Sequence, residues 1–497
     1  MRCLSGRCAA RSIPGAPAFV PAAPAFIPAA VAARASRADS GGVQPRSPAM
    51  RHDDLTLREG FAIAAARTDA EAGGGQTSSY RDGEGRAGPL APSSASSAMP
   101  TPRDAGGEAP ATAPPRRYDL DWLRVLAVLA LLLFHSGMPF VAEWGWHIKN
   151  AETSSLFLEW MYFLSRWRMA LLFLISGVGT WFALGSRGGA GYLRERTKRL
   201  LLPLLFGMLV VVPPQIYMER LTQGVPYANY LQFWSSIFAL VPYPKGNTSW
   251  HHLWFVAYLF CYSALLLPAF LWLRGDRGAQ TLAKLRAGLH GGRLVLLGVP
   301  LAAAHALYLW FPDTKALVGD WGNFCYYLVF FAYGFLLGRD EGVWSAIERY
   351  RWHALRLAFF AILAIDYLRW NKLEPGAGNL PGLLAGTTLS ALNAWCWVLT
   401  VLGFGKRWLN RDNPLRRYAT EAVYPFYILH QTVIVVIAYY VVQVPHESIL
   451  GKWLFLVVAS FAVTMGLYEF AVRPYRWVRP LFGLKPQGGT FGHGNAA

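Results

Sequence analysis

Arg124 and His135 stand eleven residues apart in Arg117–Phe140, RYDLDWLRVLAVLALLLFHSGMPF, a stretch that is almost wholly apolar after its first turns. On a helix, eleven steps of ~100° make three turns with ~20° left over, so both side chains lie on one face, ~16 Å apart along the axis. Asp121, three residues before Arg124, falls on the same stripe. A guanidinium is built to hold phosphate or carboxylate groups. A neutral imidazole, with an ordinary pKa of ~6.5, suits proton abstraction from a hydroxyl at neutral pH. An isolated Arg at the centre of a membrane helix costs ~2.5–3.5 kcal/mol on insertion scales. Near a helix end Arg124 can snorkel, and deep in the span His135 can hydrogen-bond between helices. The shared face favours a lined channel over either explanation taken alone.

Positioning those side chains requires a bundle around them, and the composition supplies one. The chain has 497 residues, of which 54% are hydrophobic, 14% aromatic and only 15% charged. This is too apolar for a soluble protein of that length. The formal net charge is +18. In a soluble chain that balance would point to nucleic acid. Here the Lys and Arg residues sit in short loops between apolar spans, so they read as orientation signals and no nucleic-acid partner is expected. The five cysteines, Cys3, Cys8, Cys261, Cys325 and Cys396, have neither metal nor redox spacing, and the last three read as small buried hydrophobes. No His-x-x-His or His-Glu-x-x-His occurs on a span, so no metal is expected.

Residues 1–116 are rich in Ala, Pro, Gly, Ser and Arg and read as a disordered, low-complexity region, with Met50 or Met99 as alternative starts. Ten apolar spans follow, at about 121–140, 169–185, 200–218, 252–273, 293–311, 321–338, 354–370, 383–404, 423–443 and 453–473. Basic residues cluster in alternate loops: Arg187–Arg199, Arg274–Arg293, Arg339–Arg351, Lys406–Arg417 and the tail from Arg473. The other loops carry little beyond Lys315, Lys372 and Lys452. The expected fold is therefore all-α: a polytopic ten-helix transmembrane bundle over 117–480, both termini cytoplasmic, with 481–497 as a short disordered tail. One apolar run, Leu156–Leu164, is too short to cross alone. It reads as a helix on the outer face leading into the second span, which puts Arg166 and Arg168 at the outer membrane edge.

Five motifs along these spans carry a resemblance. Leu120–Arg124 (LDWLR), ten further residues and His135 open the series. Phe173–Gly177 (FLISG), Tyr192–Pro203 (YLRERTKRLLLP), His252–Phe255 (HLWF) and Tyr424–Gln431 (YPFYILHQ) follow in order. Together they resemble the bacterial membrane acyltransferase family 3, across about 118–480, and within it the glucan-biosynthesis protein C type. Two features depart from the family. Ala419–Val423, with Glu421, stands where a Ser-rich approach to the last His is frequent. The carboxyl-terminal esterase-like extension of some members is missing.

The resemblance implies acyl transfer, of acetyl or succinyl type, from cytoplasmic acyl-CoA to a hydroxyl of a saccharide or glycan on the extracytoplasmic side of a bacterial inner membrane. No bound cofactor is implied; acyl-CoA is the donor substrate, and the bilayer is the chain's other partner. By position, His135 would be the general base and Arg124 would hold the CoA phosphates or shape the donor channel. Arg166 and Arg168 would steady an oxyanion or the acceptor. His252 and His430 are further candidates for substrate binding. Ser136 and Ser176 lack a base at a recognisable spacing, so direct transfer is favoured over an acyl-enzyme. The reading from another class is a transporter of an acyl group or lipid-linked sugar, which also needs intramembrane His and Arg. Such carriers are often built from repeats, and none is evident between the two halves.

Overall fold

Leu123–Leu133 holds no Gly, no Pro and no charge beyond Arg124, so nothing interrupts a helix there. Asp119 and Asp121 in its first turn favour the positive helix start, and Gly137 and Pro139 end it. The result is α1, Tyr118–Phe140. The structure is a computed structural model and describes residues 116–486. The expectations for 1–115 and 487–497 lie outside the described residues.

The described chain is helical, apart from turns and one isolated bridge between Pro242 and Thr248. After α1 come α2 (Leu156–Ser186), α3 (Gly189–Thr222), α4 (His251–Leu265), α5 (Leu267–Arg274), α6 (Asp276–Gly288) and α7 (Gly292–Leu309). Then follow α8 (Trp321–Leu337), α9 (Glu341–Arg349), α10 (Arg351–Trp370), α11 (Leu380–Leu409), α12 (Pro414–Val441) and α13 (Ile449–Val472). A helix stands at each of the ten expected places. Seven of them, α1, α2, α3, α7, α11, α12 and α13, are long and apolar enough to cross a membrane. The number is nine if the bent pairs α4 with α5 (49°) and α8 with α9 (114°) are each one span. The remaining expected span, α10, carries Arg351, Arg356, Asp366 and Arg369 and is too polar to meet the same standard.

The second expected span begins earlier than its hydropathy suggested. Leu156–Leu164 is not a separate interfacial helix: it is the first part of the unbroken 31-residue α2. No Pro interrupts that run, and Arg166 and Arg168 are buried inside the protein, at 8% and 4% exposure. At 1.5 Å per residue α2 is ~46 Å long, well beyond the ~30 Å hydrocarbon core.

α1 packs against α2, α11, α12 and α13. α2 meets α8 through glycine: a Cβ on Gly177 would strike the Phe331 carbonyl and lie 3.0 Å from the Gly334 Cα. The starts of α1 and α12 are tied by Arg416, whose guanidinium donates to Asp121 at 2.6 Å and Asp412 at 2.7 Å. Hydrogen bonds from Arg417 and Arg416 hold the Asp412 carboxyl down to about 2. Asp121 is therefore spent on this tie and on Arg116, 3.0 Å away. Phe482, beyond the expected domain boundary at 480, is buried with its ring 5.4 Å from that of Phe206.

Candidate active site

The helix stripe that carries Arg124 and His135 opens into two different cavities. His135 lines the larger one, of about 730 Å³, together with Arg166, Arg168, His252, Trp146 and Trp254. Arg124 lines a second one, of about 550 Å³, with Arg187, Arg196, Arg199 and Lys485. Glu195 and Glu421 are the acids of that second cavity, so its lining is strongly basic. Tyr427 borders both cavities. The sequence placed Arg124 and His135 on one face; the structure gives each its own chamber, at either end of α1.

Three imidazoles meet around His135. Its ring centroid is 5.4 Å from that of His430, which is 5.5 Å from that of His252. Trp146 stacks on His135 at 5.3 Å with 30° between the planes. The tautomers of two of the three follow from their partners. His430 Nδ1 lies 2.6 Å from the Tyr427 carbonyl, which can only accept, so Nδ1 carries the proton. His430 Nε2 then presents a lone pair, is buried, and has no hydrogen-bond partner among the described residues. His252 Nε2 donates to the Ile428 carbonyl at 2.9 Å, leaving Nδ1 to face the Gln215 amide at 3.4 Å. His252 is thus a held residue, and Tyr427 donates its hydroxyl to the His252 carbonyl. His135 Nδ1 is buried without a hydrogen-bond partner among the described residues.

Arg168 places its Cζ 4.1 Å from the Phe134 ring centroid and Arg166 places its own 4.0 Å from that of Tyr162. Arg168 forms no ion pair among the described residues, and its Nε and Nη1 are buried without hydrogen bonds. A buried guanidinium with unspent donors beside an imidazole is suited to developing negative charge. Arg124 forms no hydrogen bond or ion pair among the described residues. The Ser176 hydroxyl, on the wall of the second cavity, donates to the Leu172 carbonyl at 2.8 Å. The two-chamber arrangement, with a cationic site at one end and an imidazole cluster at the other, can hold an anionic donor and activate a hydroxyl.

The family model for the acyltransferase domain matches residues 117–469. The chain belongs to the acyltransferase 3 family. It is a multi-pass membrane protein whose domain transfers acyl groups other than aminoacyl groups. It is similar to glucans biosynthesis protein C of Escherichia coli strain SMS-3-5, with 25% identity over 376 residues, 72% of this chain and 92% of that protein. The protein of the same name in Escherichia coli strain K12 is 24% identical over 376 residues, with the same 72% and 92% coverage. No solved structure matches the chain.

Within this acyltransferase 3 domain, sequence reasoning found the histidines on motifs but missed what surrounds them. Trp146 and His147 lie in the loop after α1, and His251 just precedes the HLWF motif, yet all three line the His135 cavity, with Glu219 behind His147. His147 Nδ1 is 2.5 Å from Glu219 Oε2. Tyr243 donates to the other Glu219 oxygen at 2.6 Å, and burial together with that carboxylate pushes its hydroxyl pKa up. The one available signal was WGWHIKN, an aromatic and basic loop directly after the His135 helix.

Proposed function

We propose that this acyltransferase 3 protein moves an acyl group of acetyl or succinyl type from cytoplasmic acyl-CoA to a hydroxyl of a saccharide or glycan outside the inner membrane. The observation that carries the reading is the pair of cavities that share Tyr427 as a wall: one basic, at Arg124, and one lined by His and aromatic residues, at His135. The basic chamber fits the phosphates of CoA, with Arg124, Arg196 and Arg199 as counter-charges. The aromatic chamber fits the apolar faces and hydroxyl edges of a sugar. The printed name of the relatives, glucans biosynthesis protein C, supports a glucan-type acceptor.

In the transfer, His135 takes the acceptor hydroxyl proton as the oxygen attacks the thioester carbonyl carbon. Arg168, with Arg166, stabilises the oxyanion. The carbon–sulfur bond then breaks, and the CoA thiolate leaves and accepts the proton. His430 faces His135 and His252 and orients the imidazole pair. In keeping with the alternating basic loops, ten helices cross the membrane and both termini are cytoplasmic, which sets the basic chamber on the donor side.

The test is acyl transfer from labelled acyl-CoA to a glucan acceptor by the purified, reconstituted chain, read by mass spectrometry. His135→Ala is expected to reduce the rate at least ~100-fold, the usual scale for losing a general base. Wild-type turnover by a folded His135→Ala protein would remove the base assignment.

A further inference from the structure

We propose that His147, Glu219 and His251 form a binding site for one divalent transition-metal ion, with zinc the ion their donor set favours. The three come from separate segments: the loop after α1, the end of α3 and the first turn of α4. One ligating atom from each lies within 4.8 Å of the others. Two imidazole nitrogens and one carboxylate oxygen are a known catalytic zinc set, with room for a fourth ligand.

The surroundings are those of ligands and not of an ordinary ion pair. A buried carboxylate needs only one partner, and His147 already supplies it at 2.5 Å. His251 nevertheless stacks beside His147, ring centroids 4.7 Å apart and planes 28° apart. His251 Nε2 is buried and has no hydrogen-bond partner among the described residues. Its Nδ1 lies 2.6 Å from the Ser249 hydroxyl, which fixes the ring. The Glu219 oxygen turned from His147 receives hydrogen bonds from Tyr243 at 2.6 Å and Gln223 at 3.0 Å. These outer bonds orient the ligands, as the partners of metal-binding His and carboxylates do. Arg220, the adjacent cation, spends its guanidinium on Asn247, Gln223 and the carbonyls of Pro244 and Gly246.

Tetrahedral zinc with ligand bonds of ~2.0–2.1 Å sets its ligands ~3.3 Å apart, so side-chain rotations of about 1 Å complete the site. A metal on His147 Nδ1 takes the place of the hydrogen bond between that nitrogen and Glu219, His147 ligating as neutral imidazole with its proton on Nε2. His147 and His251 line the large cavity, so a water or an acceptor hydroxyl can take the fourth position. The ion would also pin the loop whose Trp146 stacks on His135.

The full chain, purified in detergent and stripped with a chelator, is titrated with zinc chloride against a chromophoric competitor, and retained metal is counted by elemental mass spectrometry. One equivalent is expected. Glu219→Gln and His251→Ala are each expected to weaken binding at least ~10-fold, while His305→Ala, outside the cluster, binds as wild type. Size-exclusion elution of each metal-free variant verifies folding. If Glu219→Gln fails that check, His251→Ala and the wild-type stoichiometry decide. Substoichiometric uptake by the wild-type chain, or equal affinity in the folded variants, overturns the site as adventitious binding. None of these readouts depends on acyl transfer.

Discussion

His430 shows how much a single hydrogen bond can decide. Because Nδ1 gives its proton to the Tyr427 carbonyl, the Nε2 lone pair is left for the cluster, and the ring cannot change tautomer without losing that 2.6 Å bond. His430→Ala is therefore expected to lower kcat for acyl transfer ~10- to 100-fold while leaving the KM for acyl-CoA within twofold, measured by initial rates. Arg124→Ala should do the reverse. Losing a hydrogen bond to a charged group is worth ~1.5–3 kcal/mol, so acyl-CoA affinity should fall ~10- to 100-fold in a binding titration. An unchanged affinity would take Arg124 out of donor binding. The Arg124 and His135 pair was legible because the helix period alone puts residues eleven apart on one face. His147, Glu219 and His251 were not, since no period links three residues drawn from three segments. The separation of Arg124 and His135 into two chambers was also hidden, because the walls, Tyr427 of α12 among them, come from helices distant in sequence.

At the scale of the element, α2 is the clearest case of sequence pattern and structure disagreeing. A hydropathy window sees Glu159, Arg166 and Arg168 and divides the run, but no Pro stands between Leu156 and Ser186, and Gly177, Gly179 and Gly185 are isolated enough for the helix to continue through them. Burying both arginines on the cavity side removes the conflict. The motif FLISG is likewise partly a packing device. Gly177 lets α2 approach the Phe331 carbonyl and Gly334 of α8, and Phe173 sets its ring 5.0 Å from that of Tyr327 on α8. Gly177→Val inserts a branched side chain where even a Cβ collides. It should cost at least ~1–3 kcal/mol of overpacking and lower the thermal midpoint in detergent, whereas Gly179→Ala, with open space around it inside the helix, should hold or slightly raise the midpoint. Equal midpoints for Gly177→Val and wild type would show that α2 and α8 do not approach this closely.

Across the whole molecule, the proposed orientation and the placing of the two cavities rest on the same basic residues. The basic cavity is walled by Arg187, Arg196 and Arg199, from the end of α2 and the first turns of α3, a basic cluster that the positive-inside rule assigns to the cytoplasm. The histidine cavity is walled by Lys315 and Thr248, from loops poor in Lys and Arg. In the proposed transfer the thioester arm has to pass Tyr427, the residue that lines both chambers. Sidedness is testable without any assay of chemistry. In a chain whose own cysteines are replaced by alanine, an impermeant maleimide should label Lys315→Cys in intact cells. Arg411→Cys, beside Asp412 in the α11–α12 linker, should react only after the membrane is permeabilised. Labelling of Arg411→Cys from outside would invert the molecule and exchange the two chambers, putting His135 on the donor side and removing the basis for its role toward an outer acceptor.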